Sequence, residues 1–98
     1  MTETVAAPEH VLRELVERLE THNAQLTRAL ESRVVIEQAK GVLAERYSLQ
    51  IEAAFELLRR SSRSNRVQIH ELAARVVREE STPIEVALTL AKVVSVRR

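Results

Sequence analysis

No cysteine occurs among the 98 residues, which excludes disulfides, thiolate metal sites and a cysteine nucleophile and fits a reducing compartment. Aromatic residues are almost as scarce. Tyr47 and Phe55 are the only two, so a core has to be built from Leu, Val, Ile and Ala. His10, His22 and His70 stand alone, without a second histidine at ligand spacing. A zinc site needs three or four converging groups, so neither a metal nor any other cofactor is expected. There is no glycine-rich phosphate loop and no G-x-S-x-G elbow, and no serine has a matched histidine and acid. The chain is therefore not read as an enzyme. No apolar run approaches the roughly 18–20 residues of a membrane span, and the opening MTETVAAPEH lacks the basic-then-apolar layout of a secretory signal. A cytoplasmic protein is the expectation, with Met1 to Ala7 unpatterned and frayed.

What is present is a small helical unit. Only one glycine and two prolines interrupt the chain, and a chain this short buries only roughly 60–65% of its unfolded surface, so a partner subunit would help it. The single glycine falls inside the stretch Arg33 to Arg46, RVVIEQAKGVLAER. In an exposed helix interior Gly41 costs roughly 0.5–1 kcal/mol relative to alanine. That cost points to a close approach at this position, either by another helix or by a ligand such as a nucleic acid.

Pro8 and Glu9 suit a first helical turn, because proline lacks a donor that would be unpaired there and the acid suits the positive helix end. Leu12, Leu19 and Leu26 then recur at seven-residue spacing, interleaved with Val16, Asn23 and Leu30. Read as heptads, the leucines 12, 19 and 26 take position d and Val16, Asn23 and Leu30 take position a. This arrangement favours a two-stranded parallel coil with one polar residue fixing register. The alternative is that the stripe packs on the chain's own later helices. No breaker separates Leu30 from Val34, so the helix is expected to continue to Arg46 or Tyr47, a length of about 55–60 Å, with Val35, Ile36, Ala39, Val42 and Leu43 as its later apolar stripe.

A turn at Tyr47 to Gln50 comes next, with Ser48 as N-cap of a second helix from about Ile51 to Arg60 or Ser62 that buries Ile51, Ala54, Phe55 and Leu58. Ser61 to Arg66 reads as a polar turn in which Asn65 takes a left-handed conformation or caps the next helix. The third helix is expected from about Gln68 to Glu79 or Glu80 on Ile69, Leu72, Ala73 and Val76. Thr82-Pro83-Ile84-Glu85 has the form of a capping box, starting a fourth helix to about Ser95 with the apolar line Ile84, Ala87, Leu88, Ala91 and Val94. The net charge is only +1, but Arg59, Arg60, Arg63 and Arg66 fall within eight positions. Guanidinium groups bind phosphate bidentately and stack on unpaired bases. The same arginines would also complement the negative C-terminus of the second helix, and composition alone does not separate the two uses.

The residues Arg33, Ile36, Glu37, Gln38, Ala39, Lys40, Gly41, Leu43, Arg46, Ala54, Phe55, Leu58, Arg59, Asn65, Leu72 and Ala73 resemble the ANTAR domain, the RNA-binding module of bacterial transcription antitermination regulators. The specific part is I-E-Q-A-K-G followed by A-F-x-x-L-R, and the likeness covers roughly residues 30 to 78. It implies an all-α fold in which a long N-terminal coiled-coil helix runs into a three-helix bundle, here with a short C-terminal helix added. It also implies a homodimer that binds paired hairpin loops in a messenger-RNA leader and favours read-through of a terminator. The corresponding division is 1–29 for tail and coiled coil, 30–80 for the ANTAR-like domain and 81–98 for the C-terminal helix, a stand-alone form without a receiver domain. Three positions depart from the family's pattern: Ala44 stands where methionine is frequent, Ser48 where glycine is, and Ser62 where alanine is.

The resemblance makes Arg33, Lys40 and Gly41 candidate RNA contacts or supports for them, whereas Arg46, Arg63, Asn65 and Arg66 are added by charge and turn position. Arg59, although in the family pattern, is read as structural. Leu12, Val16, Leu19, Asn23, Leu26 and Leu30 are the candidate dimerisation residues. Without a receiver, regulation is expected through abundance, dimerisation or a separate sensor or regulator protein. A helix-turn-helix DNA reader or coiled-coil adaptor is the alternative, although Glu71, Glu79 and Glu80 would face phosphates unfavourably in a major groove. A helical chorismate mutase-like enzyme is a more distant one, using Arg13, Arg28, Lys40 and Glu52, but the arginine it needs is replaced by Gln50 and Ile51.

Overall fold

The computed structural model describes residues 8–96, with side chains to residue 93, and every regular element in it is a helix. The expected fraying of Met1 to Ala7 and the placement of Val94 in an apolar line lie outside these limits. Four helices occur in order: α1 (Glu9–Tyr47), α2 (Ile51–Asn65), α3 (Ile69–Arg78) and α4 (Ile84–Val96). The carbonyl of Pro8 accepts from the amides of Val11 and Leu12, opening α1 as the sequence indicates. Packing divides the chain into two units, Met1–Glu31 and Ser32–Arg98.

In the first unit every described residue, Pro8 to Glu31, is exposed. The second unit holds the core. Ala39 and Leu43 of α1 join Ala54, Leu57 and Leu58 of α2, Leu72, Ala73 and Val76 of α3, and Val86 of α4, and α2 packs on both α3 and α4. With no large aromatic side chain fully buried, interior volume comes from four leucines, two valines and three alanines.

The α1–α2 and α2–α3 turns close in the same way. The amide of Leu49 donates to the Ala44 carbonyl at 2.9 Å with Ser48 in the left-handed region at φ 52°. The amide of Val67 donates to the Ser62 carbonyl at 3.1 Å with Arg66 at φ 54°. This six-to-one closure needs a left-handed residue just past the helix end, a place usually taken by glycine. Ser48 therefore terminates α1 rather than capping α2, whose N-cap is Gln50, without a side-chain bond. Arg66, not Asn65, is the left-handed residue. Asn65 is the last residue of α2, which is longer than its polar ending suggested. Ser61 Oγ donates to the Leu57 carbonyl and Asn65 Nδ2 to the Ser61 carbonyl, so these polar side chains are satisfied within the helix.

The start of α4 also differs from expectation. Thr82 Oγ1 accepts from the Tyr47 hydroxyl and from Arg46 Nη1, while Glu85 makes a two-point contact with Arg75 at 2.6 and 3.1 Å. Neither arm of the capping box is therefore used, because a bidentate charge-assisted pair is the stronger alternative. That hydrogen bond to Arg75 holds the Glu85 carboxyl below the usual carboxylate range, and its counterpart raises Arg75. A lowered carboxylate contributes stability that is complete above the unfolded value and is lost as pH falls through the folded one. Glu85→Gln is accordingly expected to lower the thermal midpoint at neutral pH and to converge on wild type as pH falls through the lowered range of the folded carboxyl. Equal midpoints at neutral pH in a calorimetric titration would count against this latch.

Candidate nucleic-acid interface

The longer α2 changes what its arginines can do. Phe55, Arg59 and Arg63 recur at four-residue spacing along one continuous helix, so they share a face. Lys40 of α1 reaches the same face. Its Nζ lies 4.9 Å from the centre of the Phe55 ring, and the Arg59 guanidinium carbon lies 5.9 Å from it. Lys40 Nζ also contacts Glu37 Oε1 at 3.1 Å, and only 16% of its side chain is exposed. Arg59 Nε lies 3.8 Å from Glu56 Oε2. Lys40 is thus held in place rather than waving in solvent.

The other candidates divide into two groups. Arg33, Arg63 and Arg66 are exposed, and no ion pair links them to an acid among the described residues. Arg46 and Asn65 are engaged internally. Arg46 donates to Thr82 Oγ1 at 3.3 Å and to the Glu79 carbonyl at 3.1 Å, tying α1 to the connection before α4, and Asn65 closes its own helix. Gly41 is exposed, and a Cβ built on it would meet nothing within 4 Å. Among the described residues nothing packs against this glycine, so they offer no helix-packing explanation for it. Sequence reasoning undervalues Phe55 and Arg59 as site residues. The i,i+4 spacing of an aromatic and a guanidinium is the available signal.

Among the described residues no group of three His, Asp or Glu side chains could hold a metal ion, and no helix is long and apolar enough to cross a membrane. A family model, ANTAR domain, matches residues 24–77. The chain belongs to the ANTAR family. The ANTAR match begins in the first unit and runs almost to the end of α3, taking in Arg33, Lys40, Gly41 and the arginines of α2, while α4 lies beyond it. The family is one of RNA-binding antitermination regulators, not of enzymes. No curated protein sequence and no solved structure matched the chain.

Proposed function

We propose that this ANTAR protein acts as a homodimer in the bacterial cytoplasm, gripping paired hairpin loops in a messenger-RNA leader and so favouring antitermination. The observation that carries this reading is the cationic row of Lys40, Arg59 and Arg63, with exposed Arg33 and Arg66, inside the family-matched stretch. Phosphate contacts from lysine and arginine supply affinity and orientation, and unpaired loop bases supply recognition. Dimerisation through Leu12, Val16, Leu19, Asn23, Leu26 and Leu30 is supported by their exposure, which reaches 64% at Leu30. A contiguous apolar row left in water marks an interaction surface. Control by a separate sensor or regulator protein completes the reading, and hydrophobic residues Ile84 and Leu88 stand exposed on α4 for such a contact.

The test is a titration of the protein against a tandem-hairpin RNA, one of its hairpins alone, and duplex DNA, at several salt concentrations. Tandem hairpins are expected to bind tightest, with log affinity falling linearly against log salt. Lys40→Ala and Arg66→Ala should each weaken binding. Gly41→Ala should raise helix stability by about 0.5–1 kcal/mol while lowering RNA affinity through the added Cβ. Preference for duplex DNA would overturn the proposal.

A further inference from the structure

We infer that Phe55 is a positioning residue of the RNA face: its ring gathers Lys40 and Arg59 into a single site for one backbone phosphate. The inference rests on the RNA-binding reading above and adds to it a residue that carries no charge and donates no hydrogen bond.

Two like charges do not collect around one side chain without a cause. Both cations lie within 6 Å of the Phe55 ring centre, and the negative face of an aromatic ring attracts an ammonium or guanidinium at that range. Each cation is also tethered to an acid one turn earlier on its own helix, Lys40 to Glu37 and Arg59 to Glu56. These tethers leave donors to spare, since an ammonium has three and a guanidinium five. Glu37 and Glu56 thus limit where the cations can go without exhausting them. The ring supplies what the acids cannot, because it links α1 to α2 and brings together cations from different helices. Lys40, with most of its side chain covered, has already given up the conformational freedom that a surface lysine would lose on meeting a phosphate. The chain's only other aromatic residue, Tyr47, is committed to Thr82.

Hairpin-RNA affinity at several salt concentrations tests the inference, using Phe55→Leu, which keeps an apolar side chain without a ring, and Phe55→Tyr, which keeps the ring. Phe55→Leu is expected to lose about five- to tenfold in affinity, with a shallower salt dependence by about one phosphate contact. Phe55→Tyr should stay within about twofold of wild type. Lys40→Gln should cost much less in the Phe55→Leu background than alone, because the two changes disable one site. A purely packing role for Phe55 would give additive losses and an unchanged salt slope, and either result overturns the inference. Should Phe55→Leu not fold, the cycle of Lys40→Gln with Arg59→Gln reads the same site in an intact core, and additivity there overturns the inference equally. Wild-type protein that ignores hairpin RNA at low salt would end the functional reading and this inference with it. Tight wild-type binding that Phe55→Leu leaves unchanged would end the inference alone.

Discussion

Leu58→Ala is expected to lower the unfolding free energy by about 3 kcal/mol. Leu58 is fully buried in α2, the helix that packs on both α3 and α4, so the void it leaves is bounded by several elements and cannot collapse from one side. A domain of this size has only about 5–10 kcal/mol in hand. The thermal midpoint should therefore drop by roughly 15 °C, and RNA binding at physiological temperature should fall with the folded fraction. The control is Ile51→Ala in the same helix. Ile51 is 46% exposed, and its truncation should cost under about 1 kcal/mol. Thermal or urea unfolding of both variants decides the matter, and similar losses from the two would mean that the core is not where the buried leucines place it.

That contrast between Leu58 and Ile51 shows where periodicity is informative and where it is not. On α1 and α3 the apolar residues fall on one side, so Ala39, Leu43, Leu72, Ala73 and Val76 can be read as buried directly from spacing. On α4 the polar residues Glu85, Thr89 and Lys92 form one narrow stripe flanked by apolar residues on both sides, so spacing alone does not say which flank faces the core. Ile84 and Leu88, expected inside, are both exposed, and Val86, absent from the expected line, is the residue that enters the core. The turns fail for a different reason. Residue preference points to Asn65 for the left-handed position, whereas the closure geometry puts Ser48 and Arg66 there. The family's frequent glycine at position 48 has its physical explanation in that backbone angle. The candidate interface is half legible. Its charges are visible as a cluster, but the alignment of Arg59 and Arg63 depends on α2 continuing to Asn65. The Lys40 contact with Phe55 joins two helices, which no local spacing encodes.

Leu19→Asp is expected to convert the protein to a monomer and to weaken tandem-hairpin binding by about 100-fold or more, while leaving its affinity for one isolated hairpin nearly unchanged. In the heptad reading Leu19 is the central d position, between a-position residues Val16 and Asn23, and within its own unit it is exposed. Substitution there removes no contact from the folded core. In a coil, however, two aspartates would be brought together in an apolar seam, a burial of unpaired charge costing several kcal/mol. The RNA consequence comes from linkage of two binding surfaces. A dimer holding one hairpin presents its second surface to the other at an effective concentration near millimolar, and losing that connection forfeits roughly 10²–10⁴ in avidity. An isolated hairpin meets one surface in either case. Sedimentation or light scattering would report the oligomeric state, and titration with one and two hairpins would report the rest. A Leu19→Asp protein that stayed dimeric would relocate the interface away from the leucine seam. A monomer that bound two hairpins as tightly as wild type would show that the paired loops are not read by paired subunits.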